Sequence, residues 1–309
     1  MVISMTLTLL LGGIILFIYS IDALSNNLVT LSINNIKQKL LTFTSSTTKS
    51  LIVGFISTAL IQSSSAVIML TIGLINAKVL TFNNSIGIML GSNVATTMTS
   101  FIVGLNIEKI SAYIMLIGIV LMMFNNKYSK IGKLIFNIGL LFYSLFLVSL
   151  AVDNFKDSTI FYNYVQSVSS SFILSIVVGA LITLMLQSSS IFVAILQVLA
   201  LSGFISLYQA IPFIFGANIG TTFDSFYGII NAKKDSKKLA HFNLFFNIGT
   251  VIFFSLLINP FKNLLTYITS LFNFNIAIDI AIANILFNLL GVLLVLPFIS
   301  KIKKYYAKW

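Results

Sequence analysis

Gln62, Ser63, Ser64 and Ser65 interrupt an apolar run, TALIQSSSAVIMLT, and Gln187, Ser188, Ser189 and Ser190 interrupt a second, TLMLQSSSIFVAILQ. Serine hydroxyls donate and accept hydrogen bonds, so a cluster of them suits an oxyanion through its donors or a small cation through its lone pairs. Side chains of this kind are expensive inside a bilayer, where each polar group needs a partner. Ser64–Ser65 and Ser189–Ser190 stand where a new half-helix would begin. There they are expected to cap it and to add unpaired N–H groups and a partial positive charge. These eight residues, with Asn93 and Asn218, are the candidate substrate-binding set.

A second doubled element lies downstream: Gly91-Ser92-Asn93 followed by Thr96-Thr97, and Gly216-Ala217-Asn218 followed by Thr221-Thr222. The glycines are expected to let these helices unwind, freeing backbone carbonyls beside the threonine hydroxyls. Oxygen donors of that sort suit Na⁺, which makes Thr96, Thr97, Thr221 and Thr222 the candidate sodium-binding residues, together with Asp224. An acid in a broken membrane segment is a functional candidate by default. Its counterpart in the first half is Thr99, so a carboxylate cation site would belong to the second half only. The competing explanation for the Ser, Thr and Gly residues is close helix packing in lipid. Packing alone does not require Gln at both positions. Asp279 is expected to be an exposed acid at a helix N-terminus and His241 an interfacial residue. Asn247 and Asn288 are expected either to bond between helices or to line the core.

The elements that hold these groups repeat. Gln62 recurs as Gln187, 125 residues on, and the same offset relates Gly91 to Gly216, Asn93 to Asn218, Thr96 to Thr221, Thr97 to Thr222, Phe17 to Phe142, Gly54 to Gly179 and Thr58 to Thr183. Repeats are therefore expected over residues 1–125 and 126–250, with a final span over 276–300, in one transmembrane domain covering residues 1–309. The composition demands a membrane: 58% of the 309 residues are hydrophobic, 8% are charged and the mean hydropathy is +1.05, whereas a soluble domain carries roughly a quarter charged residues. About 20 apolar residues cross the hydrocarbon core. Spans are expected at 2–21, 82–105, 110–124, 131–152, 204–230, 239–258 and 276–300. Residues 22–50 read as an amphipathic helix at the interface, with Leu28, Leu31, Ile36, Leu40 and Leu41 on its apolar side. Residues 153–171 read as a polar connection, 231–238 as a basic loop and 260–274 as interfacial. The first run has no basic leader and reads as a span rather than a signal peptide.

The polar tip splits residues 51–75 into halves of roughly 11 residues, each too short to cross alone, and residues 172–200 are interrupted in the same way, so each stretch is expected to be a re-entrant hairpin. Three crossings then separate the equivalent first helices, which inverts one repeat relative to the other, as in secondary transporters. The fold class is thus an all-α polytopic membrane protein of two inverted-topology repeats, each with a re-entrant hairpin and a broken helix, with about seven full spans. The net charge of +11 comes from lysines alone and is attributed to loop topology, not to nucleic acid. With the C-terminus cytoplasmic and the N-terminus outside, about 15 lysines face in and Lys109, Lys156 and Lys262 face out, as the positive-inside rule asks. The plasma membrane is the expected location, and the Ile-, Asn- and Lys-rich usage without Arg fits an AT-rich bacterial source. Cysteine is absent, which excludes disulfides and thiol chemistry, and the lone His241 excludes a His-rich metal site. There is no HExxH, no carboxylate pair and no base beside the serines, so an enzyme is not expected. A passive anion channel would need a continuous pore, for which paired hairpins are ill suited.

The segments TALIQSSSA, LMLQSSS, GSNVATT and GANIGTT resemble the paired signatures of the type II sodium/phosphate cotransporter family of bacteria and animals. GGIILFIYSIDALSNNL (residues 12–28) looks like that family's opening helix, and Ala240-His241 with Phe246-Asn247 and Gly249 like a later element. The resemblance runs from about Leu11 to Gly291. It implies Na⁺-coupled movement of inorganic phosphate by alternating access, with Na⁺ as coupling ion and no other cofactor. Other oxyanions, such as sulfate, and efflux rather than uptake stay open. Three features depart from the pattern. Asn284-Ile285 stands where a His-Thr pair is usual before Phe287-Asn288. The soluble domain that follows the membrane part in many bacterial members is not seen before Trp309, so a regulator would be a separate cytoplasmic partner. Arg is absent, so an anion would be held by hydroxyls, helix dipoles and co-bound Na⁺.

Overall fold

In the computed structural model, residues 2–42, 46–124, 126–227, 229 and 232–309 are described, with side chains for 5–28, 46–124, 128–226, 229 and 232–309. The described chain is helical throughout: α1 (Val2–Thr42), α2 (Thr47–Ile61), α3 (Ser64–Asn76), α4 (Phe82–Gly104), α5 (Ser111–Met122), α6 (Asn126–Asp153), α7 (Thr159–Ser169), α8 (Phe172–Leu186), α9 (Ser189–Leu201), α10 (Leu207–Gly220), α11 (Asp224–Tyr227), α12 (Lys234–Leu256), α13 (Ile258–Phe272), α14 (Ile276–Val295) and α15 (Ile299–Lys308). Backbone groups that cannot reach water must bond within their own segment, and the helix does this throughout its interior.

Among the described residues, five helices are long and apolar enough to cross a membrane: Met5–Leu28, Phe82–Gly104, Tyr128–Asp153, Lys234–Leu256 and Ile276–Lys308. A sixth arises if α7 and α8, bent by 104° at their junction, count as one span. The spans expected at 110–124 and 204–230 are shorter elements. α5 has 12 residues, about 18 Å of helix, and α10 has 14 before a 3₁₀ turn, Thr221–Phe223, leads into α11. On α1, Met5, Leu7, Leu11 and Ile15 are exposed along one face, a surface that suits lipid and not water.

Small residues set the close contacts. A Cβ on Gly91 would run into the Leu51 carbonyl oxygen, one on Gly216 into that of Ile176, and one on Gly54 or Gly179 into the carbonyl of Ile88 or Phe213. Each partner in the second half lies 125 residues after its partner in the first. Gly87 lies against Thr47 and Ser50, Gly91 against Leu51 and Phe55, and the Thr99 hydroxyl donates to Gln62 Oε1 at 2.8 Å. α2 and α4 therefore run side by side in the same direction, and α3 must double back between them. Gly179, Gly216 and Gly220 tie α8 to α10 in the same manner. The two first helices are antiparallel: Asn154 donates to the Thr6 hydroxyl at 3.2 Å while Gly13 packs on Ser144 and Val148. Phe17 (2% exposed) and Phe142 (1%) belong to one buried cluster between these helices.

Several expectations are corrected. α4 runs unbroken through Gly91 and Thr97, and the second-half break falls at Thr221–Phe223, after Gly216. The glycines are spent on helix contact rather than on unwinding. Residues 153–171 hold α7 and are not a plain connection, and α12 begins at Lys234, so most of the basic loop is its first turns. α1 continues to Thr42 as helix, while Leu31, Ile36, Leu40 and Leu41 on its expected interfacial face lie outside the described side chains. Asp279 is half-buried, with Oδ1 shielded and unpartnered. The packing account predicts that Gly91→Ala and Gly216→Ala each cost about 1–3 kcal/mol. Gly73→Ala, whose Cβ would meet nothing within 4 Å, should be neutral or stabilising by up to about 1 kcal/mol. Thermal unfolding of the purified protein in detergent checks both.

Candidate functional site

α2 ends at Gln62 and α8 at Gln187, both left-handed, with φ and ψ of 55° and 20° and of 52° and 25°. A non-glycine residue in that region carries strain that the surroundings must hold in place. Ser63 and Ser188 follow in extended geometry as N-caps, their hydroxyls accepting from Ala66 N–H at 3.2 Å and Ile191 N–H at 3.4 Å. The caps thus sit one residue earlier than expected, because Gln turns the chain and the next residue must restart the helix. Ser64 and Ser65, and Ser189 and Ser190, form the first turns of α3 and α9, where unpaired N–H groups concentrate partial positive charge.

The two tips face one cavity of about 230 Å³. It is lined by Gln62, Ser63, Ser64, Ser65 and Thr96 from the first half, and by Gln187, Ser188, Ser189, Ser190 and Thr221 from the second. Ile18, Ile21, Asp22, Leu186 and Ile191 complete it. Among the described residues that line it none is a lysine, and Asp22 is the one charged side chain on the wall. Gln62 is fixed from both ends: its amide nitrogen donates to the Ala59 carbonyl and its oxygen accepts from Thr99. Thr96 and Thr221 turn their hydroxyls to the carbonyls of Ser92 and Asn218 at 2.9 and 3.0 Å. Thr97 and Thr222 bond to Val94 and Ile219, each at 2.7 Å, behind the wall.

Asp224 (8% exposed) also stands behind the wall. Its Oδ2 accepts from the Ser65 hydroxyl, joining the second half to the tip of the first, and its Oδ1 is buried without a partner. At the equivalent place in the first half, Thr99 holds Gln62 of its own half. Asn93 and Asn218 do not line the cavity. Asn93 donates to Asn243 Oδ1 at 3.4 Å, and Asn243 donates to the Ser225 hydroxyl at 3.3 Å. Asn218 donates to Asn284 Oδ1 at 3.4 Å, and Asn284 donates to the Ser100 hydroxyl at 3.2 Å. Each ladder starts in one half and ends in the other. Asn247 and Asn288 donate back to Asn243 and Asn284 one turn earlier in their own helices, so they brace the middle rungs from within α12 and α14 instead of bonding between helices. Asn284 is the middle rung of one of them. His241 packs its ring on Phe226 and Trp309.

Three residues went unrecognised in the sequence. Asn243 and Asn284 carry a visible signal, since each is followed by a second Asn four residues later in an apolar helix. Asp22 is an acid at the polar end of the first span. Among the described residues no group of three or more His, Cys, Asp or Glu side chains could hold a metal ion. The oxygen donors beside the cavity are of the kind that suits a hard cation.

Residues 16–150 and 158–307 match the Na+/Pi-cotransporter family. The chain belongs to that family. Family membership makes it a membrane transporter, in keeping with its apolar helices. It is 27% identical over 286 residues to YqeW of Bacillus subtilis (strain 168), described as uncharacterized, covering 92% of each chain. It is 24% identical over 250 residues to the putative inorganic phosphate export protein YjbB of Escherichia coli (strain K12), covering 80% of this chain and 45% of that one. An 83-residue stretch is 39% identical to the sodium-dependent phosphate transport protein 2B of Bos taurus, 26% of this chain and 12% of that one. No solved structure matches. The chain thus spans nearly all of the Bacillus protein and less than half of the Escherichia one.

If the ladders tie the halves together, Asn93→Ala and Asn243→Ala should be non-additive in unfolding free energy by about 0.6 kcal/mol, and Asn218→Ala and Asn284→Ala by a similar amount. A double-mutant cycle by chemical or thermal unfolding reads this directly. Additivity in either pair would show that its rung carries nothing.

Proposed function

We propose that this transporter couples Na⁺ to the movement of inorganic phosphate through the cavity between the two hairpin tips, by alternating access of two inverted repeats. The observation that carries the reading is that two tips of the same sequence and backbone geometry line one cavity. Antiparallel first helices and the repeated glycine contacts support the inversion. The tips then act as re-entrant hairpins meeting from opposite sides near the midplane. The lysine distribution supports a plasma-membrane protein with the N-terminus outside and the C-terminus in the cytoplasm.

The electrostatics give a reason for coupling. The wall offers hydroxyls and two helix N-termini to an anion but no lysine, while Asp22 lines it and Asp224 lies one hydrogen bond behind it. In a low-dielectric site those carboxylates oppose an anion that arrives alone. A cation held by Asp224 Oδ1, with hydroxyl and carbonyl oxygens around Thr96, Thr97, Thr221 and Thr222, would lift that opposition. Phosphate would then bind Gln62, Ser63, Ser64, Ser65, Gln187, Ser188, Ser189 and Ser190, with Asn93 and Asn218 as supports behind them. The names of the Escherichia and Bos relatives support phosphate as the substrate, and the former supports export as the direction. Radiolabelled phosphate flux in proteoliposomes, with and without a Na⁺ gradient, is expected to depend steeply on Na⁺. Equal flux in both would sink the proposal.

A further inference from the structure

The central cavity does not stand alone. A second cavity of about 400 Å³ lies between α1, α5 and α6, lined by Tyr19, Asp22, Asn26, Lys133 and Asn137 among others. Asp22 is on the wall of both. One side of α1 thus carries Asp22 and Asn26 a turn apart, and α6 presents Lys133 and Asn137 a turn apart opposite them. A carboxylate and an ammonium inside otherwise apolar spans are costly unless they face water or each other. Asp22 and Lys133 are both exposed, and neither is in an ion pair: those among the described residues are Lys156–Asp153 and Lys238–Asp235. Past the central cavity in the other direction the same seam is shut, with Phe17 and Phe142 buried and Gly13 tight against Val148. Among the described residues, the polar stretch of the seam leads from the central cavity toward the end that bears Lys133.

We propose that this stretch of the α1–α6 seam is the ion route to the central cavity, and that Asp22, at the junction of the two cavities, is a cation-binding residue that makes cation loading precede phosphate loading. The proposal rests on the function argued above. Lys133 draws anions into the outer cavity, but an anion must pass the Asp22 carboxylate to reach the tips. A Na⁺ ion on Asp22 cancels that charge where the two cavities share a wall. The carboxylate thus sets the order of binding without touching the phosphate in its final place.

Two readouts test it. Wild-type protein should show a half-saturating phosphate concentration that falls about tenfold between low and saturating Na⁺. Asp22→Asn should compress that ratio to about threefold or less, and Asp22→Glu should restore most of it. An unchanged ratio in Asp22→Asn, in a wild type that does move phosphate, overturns this inference alone, whereas a wild type that moves none overturns the function itself. The chain has no cysteine, so Asn26→Cys can be labelled with a charged, membrane-impermeant thiol reagent and read by mass without any transport. Labelling should slow in Na⁺ relative to choline, and adding Asp22→Asn should abolish the slowing. A buried, unlabelled thiol, or a rate indifferent to Na⁺, would overturn the route.

Discussion

A helix that stops among apolar neighbours leaves unpaired N–H groups at its restart, and apolar surroundings cannot satisfy them. Here this happens twice, at Gln62 and Gln187, and both restarts open onto the same cavity. Capping by Ser63 and Ser188 accounts for one donor at each restart. The remaining donors, with the hydroxyls of the first helical turns, are what a polar guest would meet. Much of the surrounding architecture serves to bring these two restarts together and hold them.

Holding them requires short distances. α2 lies on α4, and α8 on α10, across glycines whose replacement would press a methyl group into a backbone carbonyl. Such contact matters in lipid, where helix association relies on close van der Waals packing. The left-handed Gln residues also need a rigid frame, since a strained backbone persists only where its neighbours over-determine it. Gln62 has such a frame in Ala59 and Thr99. The asparagine ladders and the Ser65–Asp224 bond cross between halves, so each tip's surroundings include side chains of the other half.

What the sequence revealed followed from whether a residue's role is local. The doubled Gln-Ser-Ser-Ser, the 125-residue offset and the helix breaks at the tips were legible because left-handed turns and caps are short-range features. The roles of Gly91 and Gly216 were misjudged, because a glycine that permits unwinding and one that permits close contact look alike until the neighbouring helix is in place. For the same reason Asn93 and Asn218 could not be placed off the wall in advance: their partners, Asn243 and Asn284, are 150 and 66 residues away. Asp22 was hidden by its position at the end of an apolar run, where an acid ordinarily marks the start of a loop.

The central claim is that the two tips make one site. Calorimetric titration of purified protein with phosphate in saturating Na⁺ tests it most directly, using Ser64→Ala, Ser189→Ala and the double variant. A hydroxyl bonded to a charged ligand contributes about 1.5–3 kcal/mol, so either single substitution should weaken binding about tenfold or more, with one phosphate bound per chain throughout. Two phosphates per chain, or one tip whose substitution leaves the affinity untouched, would contradict it.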